Sequence, residues 1–322
     1  MKISTEKDIL YQKRKFLISS AVCPLLFNLS GIAFCTDKID SSDGYTRLAA
    51  TNRPESKSAA LSPRPAIPYP QGTVSNWYGF KRHDFVLDGR KGFIVEPRNP
   101  APGLPWSWCM QWADSFVPRT PALKLLERGF HHVYFDIFDT AANPDGIKKL
   151  ETFYAMLQKM GFHRKAALTG MSYGGLFAFR WAAEHPETVA VIYADAPVCD
   201  LGFMHNRDKY NAKTQWLDYY RKESRRVADA YRTDVEKLSL HPLSPNNNFL
   251  PIAKAGIPIL CIRSGQDLTV PPESNIDIFA ERLRKAGGRI EIIRRDLFGH
   301  HPHGLDDPQM LVDFILQNYP EF

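Results

Sequence analysis

Hydrophobic and polar positions change their period repeatedly between residues 77 and 318. Short apolar runs predict strands, and segments with apolar residues every three or four positions predict helices. Strands are predicted at 77–87, 92–96, 106–110, 133–137, 166–170, 189–194, 257–263 and 289–293, and helices at 121–128, 145–160, 176–184, 273–286 and 308–318. This alternation predicts an α/β fold with a mostly parallel sheet and helices on both faces. The Asp88-Gly89 turn between the first two strands predicts an antiparallel edge.

The first 75 residues do not follow this pattern. Residues 1–35 hold a basic stretch, Lys13-Arg14-Lys15, and then an apolar run from Phe16 to Phe34, which is typical of a secretory signal peptide. An uncleaved N-terminal membrane anchor is the alternative. Residues 36–75 are polar and rich in proline, which predicts a disordered linker. The catalytic domain is predicted at residues 76–322, and export to the periplasm or the extracellular space is expected.

Residues 199–250 interrupt the alternation of strands and helices. The segment carries aromatic and basic residues, including Trp216 and Tyr220, and it is too long for a simple loop. Because it follows the end of a predicted parallel strand, it is expected to form a helical cap over the ligand-binding edge of the sheet. A surface helix pair without substrate contact is the alternative.

The charge of the chain argues against a nucleic-acid partner. The chain holds 41 Lys and Arg against 35 Asp and Glu, a formal net charge of +6. The first 75 residues hold ten basic and six acidic residues, so residues 76–322 carry only +2. No basic stripe remains that would follow a phosphate backbone.

The cysteines give little chemistry. Cys109, Cys199 and Cys261 lie beyond the leader, and a Cys109–Cys199 disulfide is possible in an oxidising compartment. The chain shows no Cys/His spacing typical of a zinc site, and no cofactor is expected.

A serine stands at the turn between a predicted strand and helix. Residues 170–174 read Gly-Met-Ser-Tyr-Gly, the Gly-x-Ser-x-Gly pattern of a nucleophile elbow, with Ser172 at its apex. The turn strains the serine backbone, and a Cβ at Gly170 or Gly174 is expected to collide with it. An ordinary glycine-rich turn is the alternative.

A serine nucleophile needs a base, and the base needs an orienting acid. Asp267 follows a buried strand directly and is the predicted acid, although a turn aspartate is the alternative interpretation. Asp195 and Asp200 compete with it, and Asp136 does so more weakly.

The base is expected in the segment from Phe298 to Pro308, which holds three histidines. His300 is the predicted base, and His303 is the alternative base, which could instead orient His300 or line the pocket. His301 is expected to point away from whichever neighbouring histidine points into the site. A metal cluster is the rival interpretation of such closely spaced histidines, but no matching ligand set follows a nearby strand.

An oxyanion hole needs two N–H groups aimed at the developing charge. Tyr173, directly after the serine, is predicted to supply one, and Gln111 or Trp112 the other. Trp108, Trp112 and Tyr173 are predicted to form an aromatic wall for a sugar or an apolar acyl group, although core packing explains strand tryptophans equally well.

These motifs resemble those of the α/β-hydrolase superfamily over residues 76–322. Gly170 to Gly175, Asp267-x-x-Val270-Pro271 and Gly299-His300 look like the catalytic domain of prolyl-oligopeptidase-type enzymes and like secreted bacterial esterases, including carbohydrate esterases. The resemblance implies Ser172 as nucleophile, Asp267 as acid and His300 as base. The residues before 76 do not look like the N-terminal propeller of the peptidases.

The sequence is therefore compatible with three functions. The first is a secreted serine hydrolase that cleaves a carboxylic ester through an acyl-enzyme, with a small-molecule or carbohydrate ester as its substrate. The second is a prolyl-oligopeptidase-like serine peptidase. The third is a non-catalytic binding module with a hydrolase-like fold. The membrane is expected as a partner only through an N-terminal anchor, and no oligomeric state is predicted.

Overall fold

Residues 67–206 and 217–320 are described by the computed structural model of this protein. The predicted signal peptide (1–35), most of the predicted linker (36–75) and Trp216 lie outside the described residues. Within the two described ranges, no helix is both long and apolar enough to cross a membrane.

Nine strands form one sheet in the order β1-β2-β3-β5-β4-β6-β7-β8-β9. The strands are β1 (Thr73–Trp77), β2 (Phe80–Leu87), β3 (Arg90–Glu96), β4 (Trp106–Cys109), β5 (His131–Phe135), β6 (Ala166–Met171), β7 (Val189–Asp195), β8 (Ile259–Ser264) and β9 (Ile290–Arg295). β1, β2, β3 and β5 pair antiparallel, and the pairs from β5 through β4 to β9 are parallel. The mostly parallel sheet with an antiparallel edge is thereby confirmed.

Seven α-helices connect or flank these strands in the described residues. They are α1 (Ala122–Glu127), α2 (Pro144–Lys159), α3 (Tyr173–Glu184), α4 (Leu217–Tyr231), α5 (Leu250–Lys254), α6 (Ile276–Lys285) and α7 (Gln309–Asn318). Short 3-10 turns lie at Val117–Arg119, Phe138–Thr140, Pro186–Thr188, Val235–Leu240 and Pro272–Ser274.

The sheet begins earlier than the sequence pattern predicts. β1 starts at Thr73, inside the predicted linker, and pairs with β2. Tyr78 and Gly79 separate the two strands in a turn with φ of 51° and 84°. The predicted strand 77–87 therefore contains the last residue of β1, this turn and all of β2. The hydrophobicity pattern does not show the turn, because the residues around it are aromatic. The next turn follows the prediction, since Asp88 and Gly89 adopt φ of 48° and 75°, as two-residue hairpins require.

Alternate residues of the parallel strands enter different apolar clusters. Ile192 and Ala194 of β7 pack in the cluster that includes Phe153 of α2 and Phe279 of α6. Val191 and Tyr193 of β7 pack with α7. Helices therefore cover both faces of the sheet, and the residues at the ends of its strands remain available for a functional site.

The insertion after β7 packs against the loop that follows β5. The Tyr231 hydroxyl of α4 donates to the carbonyls of Ala141 (2.9 Å) and Ala142 (3.0 Å). The Asn143 amide donates to the Ala230 carbonyl at 3.1 Å. The described part of the insertion is helical, and these bonds fix α4 to the β5–α2 connection.

The disulfide considered from the sequence does not form. Cys109, Cys199 and Cys261 are buried and free. Cys109 packs in the cluster around Trp77, whereas Cys199 packs in the large cluster that contains Cys261. Burial raises the pKa of the Cys109 thiol to about 12, so this thiol stays protonated.

Asn143 caps α2 and also contacts the insertion, so substitutions can separate the two roles. Its Oδ1 accepts from the Gly146 N–H at 2.8 Å. We expect Asn143→Ala to lower the free energy of unfolding by about 1–2 kcal/mol. Asn143→Asp keeps a capping oxygen and loses only the bond to Ala230, so it should lose less. Urea denaturation checks this, and equal midpoints for all three proteins would contradict the capping role.

Candidate active site

Ser172 occupies the sharp turn between β6 and α3. Its φ and ψ are 51° and −122°, a conformation that a non-glycine residue rarely adopts. Its N–H donates to the Asp195 carbonyl at 2.8 Å, and its carbonyl accepts from Gly175 N at 3.0 Å and Val198 N at 2.9 Å. These three bonds fix the turn, and they place Ser172 at the carboxyl end of a central strand.

The glycines around Ser172 are required to different degrees. A Cβ on Gly170 would lie 3.0 Å from the Gly174 carbonyl oxygen, and one on Gly175 would lie 2.2 Å from Pro197 Cβ. A Cβ on Gly174 would lie 3.3 Å from the Gln111 nitrogen, a contact that a small shift relieves. The structure therefore makes Gly175 more restrictive than Gly174, because the loop after β7 packs directly on it.

A chain of two hydrogen bonds joins Ser172, His300 and Asp267. The Ser172 Oγ lies 2.8 Å from His300 Nε2, and His300 Nδ1 lies 2.6 Å from Asp267 Oδ2. A carboxylate only accepts, so Nδ1 carries the proton and Nε2 accepts from the serine. The second oxygen of Asp267 accepts from the N–H groups of Thr269 (2.8 Å) and Val270 (2.9 Å). The structure thus brings together the three residues predicted as nucleophile, base and acid.

The imidazole ring of His300, at the centre of these hydrogen bonds, is buried. His300 is 8 % exposed and Asp267 is 3 % exposed. Desolvation by burial lowers the pKa of His300 below its usual value, although the hydrogen bond to Asp267 partly opposes the shift. His300 is therefore neutral at pH 7, the form that can accept a proton.

The competing acids are hydrogen-bonded elsewhere. Asp200 accepts from the Gly202 N–H at 2.8 Å, and Asp136 accepts from the Phe138 N–H at 3.1 Å. Both contacts are local turns within two residues of the aspartate. Asp267 is the carboxylate that meets His300.

Asp195 belongs to a second carboxylate–imidazole pair. Its Oδ1 lies 3.0 Å from His303 Nδ1, and its Oδ2 accepts from the Gly304 N–H at 2.6 Å and the Tyr193 hydroxyl at 3.0 Å. His303 is therefore held by Asp195, while His300 is the histidine that lies on Ser172. The geometry favours His300 over His303 as the base.

Arg295 was not singled out in the sequence, yet it anchors the histidine segment. Its Nη1 donates to the carbonyls of Pro302 (3.1 Å) and Gly304 (2.9 Å), and its Nη2 lies 3.6 Å from Asp195 Oδ1. Its position at the end of the last strand was the available signal, because that edge carries the site. Arg119 adds a bond of 2.8 Å from its Nε to the His303 carbonyl.

The residues predicted for the oxyanion hole lie beside the serine. Tyr173 is the first residue of α3, and the Gln111 backbone packs against the next residue, Gly174. Gln111 is 1 % exposed, and its Nε2 has no partner among the described residues. Trp112 follows with a φ of 63°. The loop after β4 and the N-terminus of α3 therefore converge next to Ser172.

The predicted aromatic wall is wrong for Trp108. This residue is 1 % exposed and packs against Trp181 at a ring separation of 5.1 Å. β4 lies between two strands of a sheet covered on both faces, so it has no solvent-facing side. Trp112 is 39 % exposed and contacts Phe138 (5.2 Å), which in turn contacts the buried Tyr173 ring (5.3 Å).

The three histidines of residues 300–303 converge rather than diverge. One nitrogen each from His300, His301 and His303 lies within 4.8 Å of the others. His301 is exposed and stacks on Phe116, with ring centroids 5.5 Å apart. His301 is exposed while His300 and His303 are buried, although its ring lies 4.8 Å from that of His300. The tight segment holds all three rings together, and we call them the histidine cluster.

The sequence model of the prolyl oligopeptidase family matches residues 146–317, more than half of the 322 residues. The match spans Ser172, Asp267 and His300, and it includes the insertion after β7. No match was found among curated protein sequences.

Solved structures similar to this chain include two peptidases and an esterase. An acylaminoacyl peptidase from Pyrococcus horikoshii aligns with a TM-score of 0.54 and 13 % identity, over 76 % of this chain and 42 % of the peptidase. Carboxyl esterase 2 from Tuber melanosporum aligns with a TM-score of 0.52 and 17 % identity, over 80 % of this chain and 93 % of the esterase. Dipeptidyl peptidase 4 from Porphyromonas gingivalis aligns with a TM-score of 0.52 and 15 % identity, over 74 % of this chain and 35 % of the peptidase.

This chain spans less than half the length of the two peptidases. At such low identity these likenesses support the fold alone, and they agree with the nine-stranded sheet. The family match covers more than half of this chain. The chain belongs to the prolyl oligopeptidase family and has the α/β-hydrolase fold.

Proposed function

We propose that this protein is a serine hydrolase that cleaves a carboxylic ester through an acyl-enzyme, with Ser172 as nucleophile, His300 as base and Asp267 as its orienting acid. The hydrogen-bonded chain from the Ser172 hydroxyl through His300 to Asp267 is the observation that carries the proposal. Each residue follows a different strand end, and all three meet at one edge of the sheet.

Acylation begins when the Ser172 oxygen attacks the ester carbonyl carbon. The hydroxyl proton passes to His300 Nε2, across the 2.8 Å contact. Asp267 holds the ring by the Nδ1 proton and stabilises the imidazolium that forms. As the tetrahedral intermediate collapses, the imidazolium gives its proton to the leaving alcohol. Water then attacks the acyl-serine by the same route and releases the acid.

The negative charge of the intermediate needs donors already in place. The Tyr173 N–H at the start of α3 is the first, and the positive end of the helix supports it. The second comes from the main chain of Gln111 or Trp112, because this loop packs on Gly174. The serine turn would thus supply the nucleophile and one oxyanion donor, and the loop after β4 would supply the other.

The charges beside the site favour an ester over a peptide with a free N-terminus. A bound ammonium group needs an unpaired carboxylate. Glu223 of α4 lies near Tyr173 but accepts from Arg226 Nε at 2.9 Å, so its charge is already neutralised. The Arg226 guanidinium is held by Glu223 and by the Asp139 carbonyl, so this ion pair offers no free carboxylate to a substrate ammonium group. The proposal is also supported by the alignment with the fungal carboxyl esterase, which covers 93 % of the length of that esterase.

Peptidase activity is the second candidate function. The family match over residues 146–317 favours it, since the family is named for a peptidase. The acylation chemistry is the same for both substrate types, so the hydrogen-bonded chain supports either. The choice depends on which leaving group and which flanking groups the site accepts.

A carbohydrate as part of the substrate is proposed from the aromatic surface near the serine. Trp112 is 39 % exposed and contacts Phe138, which is partly buried. Exposed aromatic faces stack well on the apolar faces of sugars and on acyl groups. Tyr173 contributes through its main chain, because its ring is buried. Export remains a proposal that rests on the leader pattern of residues 1–35.

Loss of the Ser172 hydroxyl should abolish covalent chemistry. We expect the wild-type protein to be labelled by a fluorophosphonate probe and Ser172→Ala not to be labelled. Hydrolysis of p-nitrophenyl acetate should fall by about 10⁴-fold or more in the variant. Thermal unfolding of both proteins serves as the control for folding. If Ser172→Ala labels as fast as wild type, the nucleophile is another residue, and if the folded wild type is not labelled, the chain is a binding module.

The two buried histidines can be told apart by matched substitutions. His300→Ala removes the ring that meets Ser172, so kcat/KM should fall by about 10⁴-fold. His303→Ala removes a ring held by Asp195 and should cost much less. Steady-state rates on p-nitrophenyl acetate decide the point. If His303→Ala abolishes activity while His300→Ala stays near normal, the assignment of the base is wrong.

The leaving group separates the two candidate substrates. We expect release of p-nitrophenol from short acyl esters and little cleavage of aminoacyl p-nitroanilides, because Glu223, the described carboxylate near Tyr173, is already paired with Arg226. Faster turnover of the anilides would establish the peptidase instead.

The carbohydrate part of the proposal needs its own comparison. A panel of acetylated and feruloylated glycans should include a substrate that is turned over with a higher kcat/KM than p-nitrophenyl acetate. Trp112→Ala should raise KM for that glycan and leave p-nitrophenyl acetate hydrolysis nearly unchanged, since the small ester does not need the stacking surface. Equal effects on both would contradict a role for Trp112 in sugar binding.

A further inference from the structure

The histidine cluster has the spacing of a three-imidazole metal site. The ring centroids lie 4.8 Å apart for His300–His301, 4.8 Å for His300–His303 and 5.1 Å for His301–His303. Three imidazoles bound to one tetrahedral zinc ion would have their centroids about 5 Å apart, given the usual Zn–N bond length. The rings are also steeply inclined to one another, by 65°, 82° and 88°. The rings are therefore spaced as they would be around one ion, and their nitrogens, which lie within 4.8 Å of one another, must turn inward to about 3.3 Å to bind it.

The two buried rings carry the outer partners of metal ligands. His300 Nδ1 is bonded to Asp267 and His303 Nδ1 to Asp195. Histidines that bind metals commonly donate one ring N–H to a carboxylate, which fixes the tautomer and makes the other nitrogen a better ligand. In both rings this other nitrogen is Nε2. The sequence offers no such hint, because each carboxylate comes from a different strand end.

The donor set and its surroundings define the kind of ion. Neutral imidazoles without thiolates suit divalent transition metals such as Zn²⁺, whereas Mg²⁺ and Ca²⁺ prefer oxygen ligands. His301 is exposed and gives an entry path from solvent. The two carboxylates behind the buried rings add negative charge, and Arg295 offsets part of the charge of Asp195.

We propose that His300, His301 and His303 bind a divalent transition-metal ion and that binding switches the hydrolase off. The reason is competition for a single lone pair. His300 Nε2 is the atom that accepts the Ser172 proton, at 2.8 Å. When this lone pair forms a bond to the metal, it cannot take the proton, and Ser172 loses its base. Only the hydrogen bond from Ser172 to His300 is lost, no covalent bond breaks and no electron is transferred, so removal of the metal restores the enzyme. The switch rests on the proposed function, whereas the metal binding does not.

Metal binding is tested first, without substrate. Zn²⁺ alone is titrated into the full-length protein by calorimetry, and Co²⁺ replaces it to give the visible absorption of a tetrahedral site. Wild type should bind one ion per chain. His301→Ala should bind about 10-fold more weakly or worse, because it loses a ligand that has no bond to Ser172 or Asp267. His205→Ala, which changes an exposed histidine outside the cluster, should bind like wild type.

The Ser172→Ala protein gives the sharpest result. It removes the hydroxyl that competes for His300 Nε2, so it should bind Zn²⁺ at least as tightly as wild type although it has no activity. Weaker binding in this variant would show that Nε2 of His300 is not a ligand. Absence of saturable Zn²⁺ binding by wild type, or equal affinities for wild type and His301→Ala, would overturn the site itself.

Inhibition is then measured as the rate of fluorophosphonate labelling and of p-nitrophenyl acetate hydrolysis, each relative to the metal-free rate of the same protein. Zn²⁺ should suppress both rates in wild type, EDTA should restore them, and His301→Ala should need about 10-fold more Zn²⁺ for the same loss. Tight binding without inhibition would overturn the switch. If the metal-free wild type is not labelled at all, the proposed function fails, while the calorimetry still decides the metal site.

Discussion

The strained main chain at Ser172 is the constraint on which the site depends. A serine at φ 51° and ψ −122° costs about 1–3 kcal/mol relative to a relaxed backbone. The turn persists because its N–H and carbonyl are bonded to the loop after β7 and because Gly175 lets Pro197 approach. The same strain exposes the hydroxyl above the end of β6 and places the Tyr173 N–H beside it. The cost is a local one, and it is offset by packing between neighbouring strands.

Asp195 joins this turn to the histidine segment. Its carbonyl accepts from Ser172 N, and its carboxylate accepts from His303 and Gly304. Asp195, at the end of β7, therefore links the Ser172 turn to the segment that carries His300. Arg295 at the end of β9 strengthens the arrangement from the other side. The position of the histidine segment therefore depends on contacts with the ends of β7 and β9.

The histidine segment serves two kinds of chemistry with the same atoms. His300 needs a carboxylate on Nδ1 to act as a base, and an imidazole needs the same kind of partner to be a good metal ligand. The second pair, His303 with Asp195, repeats this arrangement next to it. Family membership accounts for the first pair through the match over residues 146–317. The proposed metal switch follows from the second pair and from the exposed ring of His301, which lies beside both.

The sequence by itself determined most of the strands and helices, the serine turn and the chain order of the candidate nucleophile, acid and base, because periodicity, turn residues and capping are local. It left open which histidine meets Ser172, and it misplaced Trp108 and the start of β1. It also missed the bonds of Arg295 to the histidine segment. Each of these depends on strand order and on which face a side chain enters. A period of two shows that the faces alternate, but only the packed sheet decides which face is buried and which residues from distant segments come into contact.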